Sequence, residues 1–103
     1  MSAKLLVLYG PPTDPQAFDD YYFGTHLPLV KAVPGLVSAA SNDGPVGAPG
    51  GPAPYYRVSS YTWPSMAELQ DGLASPEGGA AAGDLPNFAT GGATLLVFDE
   101  QDV

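Results

Sequence analysis

Apolar positions along the chain fall into two unbroken runs near its ends and periodic patterns between them. Ala-Lys-Leu-Leu-Val-Leu-Tyr at 3–9 stops at Gly10-Pro11-Pro12, and Ala-Thr-Leu-Leu-Val-Phe at 93–98 follows Gly91-Gly92. Short apolar runs punctuated this way predict strands that are covered on both faces. Residues 14–34 follow a different period. Phe18, Tyr21, Tyr22, Thr25, His26, Leu29, Val30 and Val33 recur at i, i+3, i+4 and i+7, which predicts one apolar helix face. Asp14 suits the N-cap and Pro15 the first helical position. Asp19, Asp20 and Lys31 lie off the stripe.

That helix meets an obstacle at Pro28, which has no N–H to give the Gly24 carbonyl and whose ring clashes with it. A break at Gly24-Thr25 is expected, with Thr25 capping a second segment that begins at His26. The only histidine of the chain would then sit at a helix N-terminus, which favours the neutral ring and a base at neutral pH. A partly buried histidine bonded to a neighbour is the plainer reading of the same spacing.

Further along, residues 36–42 make a weaker strand, and 43–54 hold so much Gly and Pro that no regular element is expected. Neither a G-x-G-x-x-G nor a G-x-x-x-x-G-K phosphate motif occurs there. Residues 55–63 alternate, with Tyr55, Arg57, Ser59, Tyr61 and Trp63 on one side, as suits a ligand-lining face, a subunit interface or cross-strand packing. Ser65 and Glu68 form a capping box that opens a helix to about Leu73, with Met66, Leu69 and Leu73 as its buried stripe. Ser75-Pro76 caps a further helical segment weakened by Gly78, Gly79 and Gly83. A turn at 84–88 carries Asp84, Asn87 and Phe88.

The order strand, helix, strand, strand, helix, strand predicts an α+β, ferredoxin-like βαββαβ domain spanning 1–103, with a four-stranded antiparallel sheet and both helices on one face. The first and last strands are apolar on both sides, so the open sheet face needs cover. A second copy supplies it most simply, giving a homodimer and a dimeric α/β barrel.

Charge narrows the function. Eleven acidic side chains against three basic ones give a net charge of −8, so no patch for nucleic acid or an anionic membrane surface is expected. The absence of cysteine excludes thiol nucleophiles and thiolate metal sites. No signal-peptide pattern or membrane-length apolar run is found, and a soluble, cytoplasmic protein is expected. The acidic residues show no ligand-like clustering, and no metal or other cofactor is expected. A serine hydrolase lacks its G-x-S-x-G.

The stretch Asp19-Asp20-Tyr21-Tyr22…Thr25-His26-Leu27-Pro28-Leu29-Val30 resembles the signature helix of the EthD-like family in the dimeric α/β-barrel superfamily. Pro52-Ala53-Pro54-Tyr55 and Gly83-Asp84-Leu85-Pro86-Asn87-Phe88 resemble its other recurring stretches, in the same order along nearly the whole chain. The resemblance implies a ferredoxin-like homodimer that handles a small molecule. Related members isomerise methylmuconolactones or act on polyketide intermediates without metals, and neighbouring families include quinone-forming monooxygenases and haem-handling enzymes. By position, the family histidine falls on His26 and the turn on Asp84, Pro86 and Asn87. The segment 75–82 carries no second histidine, unlike many members.

Two functions from different classes fit these residues. A cofactor-free isomerase or lyase, an accessory of a degradation pathway, would use His26 as general acid or base. Asp84, as catalytic partner, or Asn87 would orient the ring or hold an enolate, with Tyr22, Tyr61, Trp63, Asn87 and Phe88 binding the ligand. A non-catalytic dimer would hold a small apolar metabolite with the same tyrosines and tryptophan. Haem ligation by His26 and quinone-linked oxygenation are the superfamily's further alternatives. A structural dimer with a dry, filled interior is a third reading.

Overall fold

In the computed structural model, which describes residues 2–103, β1 (Ala3–Tyr9) runs through the middle of a four-stranded antiparallel sheet. Its neighbours are β5 (Arg57–Trp63) and β6 (Ala93–Asp99), and the short β2 (Ser38–Ser41) flanks β5, giving the order β2-β5-β1-β6. Strand parity divides the sheet. Ala3, Leu5, Val7 and Tyr9 of β1 are buried with Arg57, Ser59, Tyr61 and Trp63 of β5, under the helices. Lys4, Leu6 and Leu8, with Val58, Ser60 and Thr62, face the other way and are half-buried. This is the α+β architecture expected, with all its helices over one sheet face.

The unbroken run of β6 does not make a doubly covered strand. It is an edge strand, and Leu95, Leu96, Val97 and Phe98 are all exposed, at 41–50%. Its pairing register, Val7 with Leu95 and Leu6 with Leu96, leaves apolar side chains uncovered on both faces.

Helix α1 (Pro15–Tyr21) starts as its residues dictate, with the Asp14 carboxylate accepting from the Ala17 amide at 3.1 Å. No break follows. The backbone passes through one wide π-turn, Tyr22–His26, into α2 (Leu27–Lys31), with helical dihedrals at both joins. The Leu27 amide reaches back to the Tyr22 carbonyl, an i→i+5 bond that loosens the ladder where Pro28 lacks a donor. Thr25 therefore caps nothing. It points to solvent rather than along the buried face, and α2 has no side-chain cap.

Two further expectations are corrected. Within 43–54 a minimal hairpin forms, β3 (Gly47–Ala48) with β4 (Gly51–Pro52). Pro49-Gly50 makes the turn and Gly51 takes φ +145°, a conformation open to glycine. In the second half, α3 (Met66–Ala74) and α4 (Pro76–Asp84) are both nine residues long despite the glycines. Ser65 caps α3, accepting from the Glu68 amide at 3.2 Å, and Ser75 ends α3 and caps α4. Leu69 is the buried member of the α3 stripe, whereas Leu73 is partly exposed. Gly72 lets α3 lie close, since a Cβ there would meet the Pro34 carbonyl oxygen at 2.8 Å. Among the described residues, no helix is long and apolar enough to cross a membrane.

Candidate active site

Phe18, Tyr22, His26 and Val30 are buried at strict four-residue intervals. A regular α-helix advances about 100° per residue, so three such steps would swing the last side chain about 120° off line. The π-turn absorbs much of that drift and turns His26 inward, leaving it 3% exposed.

Asp84 comes to meet it from the last position of α4, where Leu85-Pro86-Asn87 tightens into a 3₁₀ turn. Its Oδ2 lies 2.9 Å from Nδ1 of His26. Its Oδ1 accepts from the Tyr21 hydroxyl at 2.6 Å and from Asn87 Nδ2 at 3.0 Å. Phe88 packs on the imidazole with ring centroids 4.6 Å apart. Burial pulls the His26 pKa below its ordinary value, more strongly than the hydrogen bond and charge of Asp84 push it up. For Asp84, burial alone would raise the pKa, but the donors Tyr21, Asn87 and His26 together hold it below the usual carboxylate value. At neutral pH a carboxylate thus accepts from a neutral ring, and Nδ1 carries the proton. Nε2 keeps its lone pair and has no protein partner among the described residues. The low pKa has its origin in burial, not in a free helix N-terminus, because the backbone is helical on both sides of His26.

His26 lines a cavity of about 50 Å³ between helices and sheet. Leu5, Val7 and Tyr9 form its floor with Tyr61 and Trp63; Val30, Val33, Gly78 and Ala81 form its roof. Leu73 and Leu95, both in the wall and both partly exposed, mark where it reaches solvent. Of the residues singled out in the sequence, His26, Tyr61 and Trp63 line this cavity. Asp84, Asn87 and Phe88 stand behind the imidazole. Tyr22 is buried beside it, with its hydroxyl 2.6 Å from Ser59 Oγ and 2.9 Å from the Tyr61 hydroxyl. Trp63 Nε1 donates to the Pro34 carbonyl at 3.0 Å, so only its ring is offered to the cavity.

Two residues were missed. Tyr21 donates the shortest bond to Asp84, and it sat on the predicted stripe. Tyr9 is fully buried in the cavity wall, and its hydroxyl has no partner among the described residues. The signal for Tyr9 was its parity with Leu5 and Val7, which a reading of β1 as uniformly apolar passes over. Arg57, buried like His26 and Asp84, lies outside the cavity wall. It donates to Asp19 at 3.0 Å and to Ser41 Oγ at 2.9 Å, and its guanidinium lies over the Tyr22 and Phe23 rings.

A haem does not fit here. The volume enclosed around His26 is far below that of a porphyrin. No group of three or more His, Cys, Asp or Glu side chains stands together among the described residues.

Comparison with known proteins places this geometry. A family model described as the EthD domain matches residues 10–92. An uncharacterized 11.0 kDa protein from the thcB-thcC intergenic region of Rhodococcus erythropolis is 38% identical over 100 residues, covering 97% of this chain and 96% of that one. The crystal structure of an EthD family protein from Bacillus halodurans superposes with a TM-score of 0.89 at 36% identity, over 98% of this chain and all of the other. At 15% identity the fold alone is shared with two more proteins. Hydroxynitrile lyase from Passiflora edulis has a TM-score of 0.76 over 99% of this chain and 95% of its own. A dimeric ferredoxin-like protein of unknown function from Thermobifida fusca has a TM-score of 0.68 over 95% and 90%. With the family model spanning most of its length and a relative alike over almost all of it, the chain belongs to the EthD family.

Proposed function

We propose that this EthD protein is a cofactor-free isomerase or lyase that moves a proton on a small apolar molecule, with His26 as the general base. The observation that carries the reading is the pairing of His26 Nδ1 with Asp84 at 2.9 Å while Nε2 is left unpartnered in an apolar cavity. A base of this kind needs its proton-bearing nitrogen held and its other nitrogen free, with a pKa not far from the working pH. Asp84 orients the ring and stabilises the imidazolium that forms. Tyr21 and Asn87 hold Asp84 in place, and Phe88 fixes the ring plane. Tyr22 supports the Tyr61 hydroxyl; Tyr61 and Trp63 contact the ligand. That a protein of the same fold is a lyase is in keeping with this reading.

The working unit is a homodimer joined through the open sheet face. Leu96 and Phe98 are exposed there, helices pack on the sheet's other face over β1 and β5, and a protein of similar fold is described as dimeric. A dimer without turnover, holding a small apolar metabolite, is the second reading, favoured by the apolar walls of the cavity.

Deuterium incorporation into a panel of small carbon acids in heavy water tests the base. The wild type is expected to exchange a proton with a rate limb that falls off below neutral pH, and His26→Gln is expected to lose that limb. Ligand binding without exchange at any pH would leave the binder reading in its place. Sedimentation velocity at micromolar concentration tests the dimer, and a monomer would remove it.

A further inference from the structure

Besides Nε2 of His26, the cavity wall carries a second polar side chain left without a partner. Tyr9 is 0% exposed, and its buried hydroxyl finds no partner among the described residues, although three other hydroxyls nearby satisfy one another across Ser59, Tyr22 and Tyr61. Buried hydroxyls without partners are rare in native proteins and call for a specific explanation. We propose that the Tyr9 hydroxyl donates a hydrogen bond to the oxygen of the ligand, and that the ligand is a compact, neutral, apolar carbonyl compound. This assignment rests on the proposed function, since it concerns the molecule on which His26 acts.

Neutrality follows from the wall. No Lys or Arg lines the cavity, and Arg57 is committed to Asp19 and Ser41. A carboxylate or phosphate would lose its water there without gaining a cation. One oxygen is what a single free donor can serve, and the remaining wall is aliphatic and aromatic. The open end at Leu73 and Leu95 lets a ligand larger than the enclosed 50 Å³ protrude.

The chemistry balances within these groups. His26 Nε2 takes a proton from the carbon next to the carbonyl, and the C–H electron pair moves into the carbonyl to place negative charge on its oxygen. Tyr9 donates to that oxygen and keeps its own proton, because burial raises its pKa. The imidazolium, facing Asp84, returns the proton to carbon. Composition is unchanged, and exchange with solvent labels the carbon.

The test compares cyclopentanone, methylenecyclopentane and cyclopentanecarboxylate as ligands of wild type and Tyr9→Phe, by ligand-observed NMR and thermal unfolding. Wild type is expected to prefer the ketone to both others. Tyr9→Phe should weaken ketone binding about 3- to 10-fold, the worth of one hydrogen bond, and leave the hydrocarbon unaffected. Without ligand, Tyr9→Phe should melt about 4–8 °C higher, because it removes an unsatisfied buried group. Unchanged ketone affinity in Tyr9→Phe overturns the assignment to Tyr9. So does a lower melting point, which would reveal a structural partner for the hydroxyl. Tighter binding of the carboxylate overturns the neutral class. Failure of both neutral rings to bind removes the cavity as a site, and with it the proposed function. Selective ketone binding without deuterium exchange leaves Tyr9 in its role and removes only the base.

Discussion

The two faces of the sheet are made by the same strands and differ in nearly everything else. Beneath the helices, alternate residues of β1 and β5 are buried, yet the layer includes Arg57, Ser59, Tyr9 and Tyr61 and, from the helices, Tyr22, His26 and Asp84. On the open face polar and apolar side chains are mixed: Lys4 Nζ reaches Thr62 Oγ1 at 2.8 Å beside Ser60 and Thr94, while Leu96 and Phe98 face outward. The exposed apolar side chains on that face argue for a covering surface. A helix-covered face that keeps His26, Asp84 and Arg57 inside, joined in ion-pair or hydrogen-bond contacts, argues for chemistry, because burying such groups is unfavourable unless they are used or paired. One strand period thus serves the proposed interface on one parity and the proposed reaction chamber on the other.

Four measurements would break or sharpen that contrast, in falling order of effect. Trp63→Ala, on the covered face, should lower the unfolding free energy by about 3–5 kcal/mol in urea titrations, since the side chain is fully buried. A loss under about 1 kcal/mol would mean that the covered face is not the core. Asp84→Ala leaves the buried Nδ1–H of His26 without an acceptor and should lose about 1–3 kcal/mol. Tyr21→Phe should lose less, because the partly exposed hydroxyl can otherwise bond water.

Third comes pH. Folding lowers the His26 pKa below 6.5, so below that pH the unfolded chain binds a proton before the folded one does. Stability is therefore complete above pH 6.5 and declines as the pH falls from there toward the lower folded value. The slope is at most about 1.4 kcal/mol per pH unit for a single group. His26→Gln should flatten this window, and the second loss, from Asp84 below pH 3.8, should remain. The smallest effect on the subunit belongs to the open face. Leu96→Asp with Phe98→Asp should change subunit stability by less than about 1 kcal/mol, while sedimentation shows the dimer dissociating.

The fold was legible because its signals were local and redundant. Gly and Pro mark the ends of 3–9 and 93–98, Asp14 and Ser65 both cap as read, and the parity of residues 57–63 is unambiguous. What escaped depended on partners distant in sequence. Pro28 announces that the ladder is interrupted but not whether the backbone breaks or widens; the Leu27-to-Tyr22 bond decides that. The exposure of Leu95 and Val97 follows from β6 lying at the sheet edge, which no pattern within 93–98 encodes. For the site, the sequence picked out His26 and Asp84, but nothing in a separation of 58 residues states which nitrogen faces which oxygen. Tyr9 was hidden because a residue that is aromatic and polar together reads as one more apolar position.

The π-turn has a consequence for how this chain can change length. It holds one residue more than a regular α-helix needs, and Gly24 and Thr25 within it are exposed. Deleting Gly24 would not simply shorten a loop; it would re-phase everything after it, turning Val30 and Val33 by about 100° relative to Phe18 and Tyr22. The histidine would leave Asp84 in the same movement. Length variation is therefore closed off at 22–26, where chain length itself decides whether His26 meets Asp84.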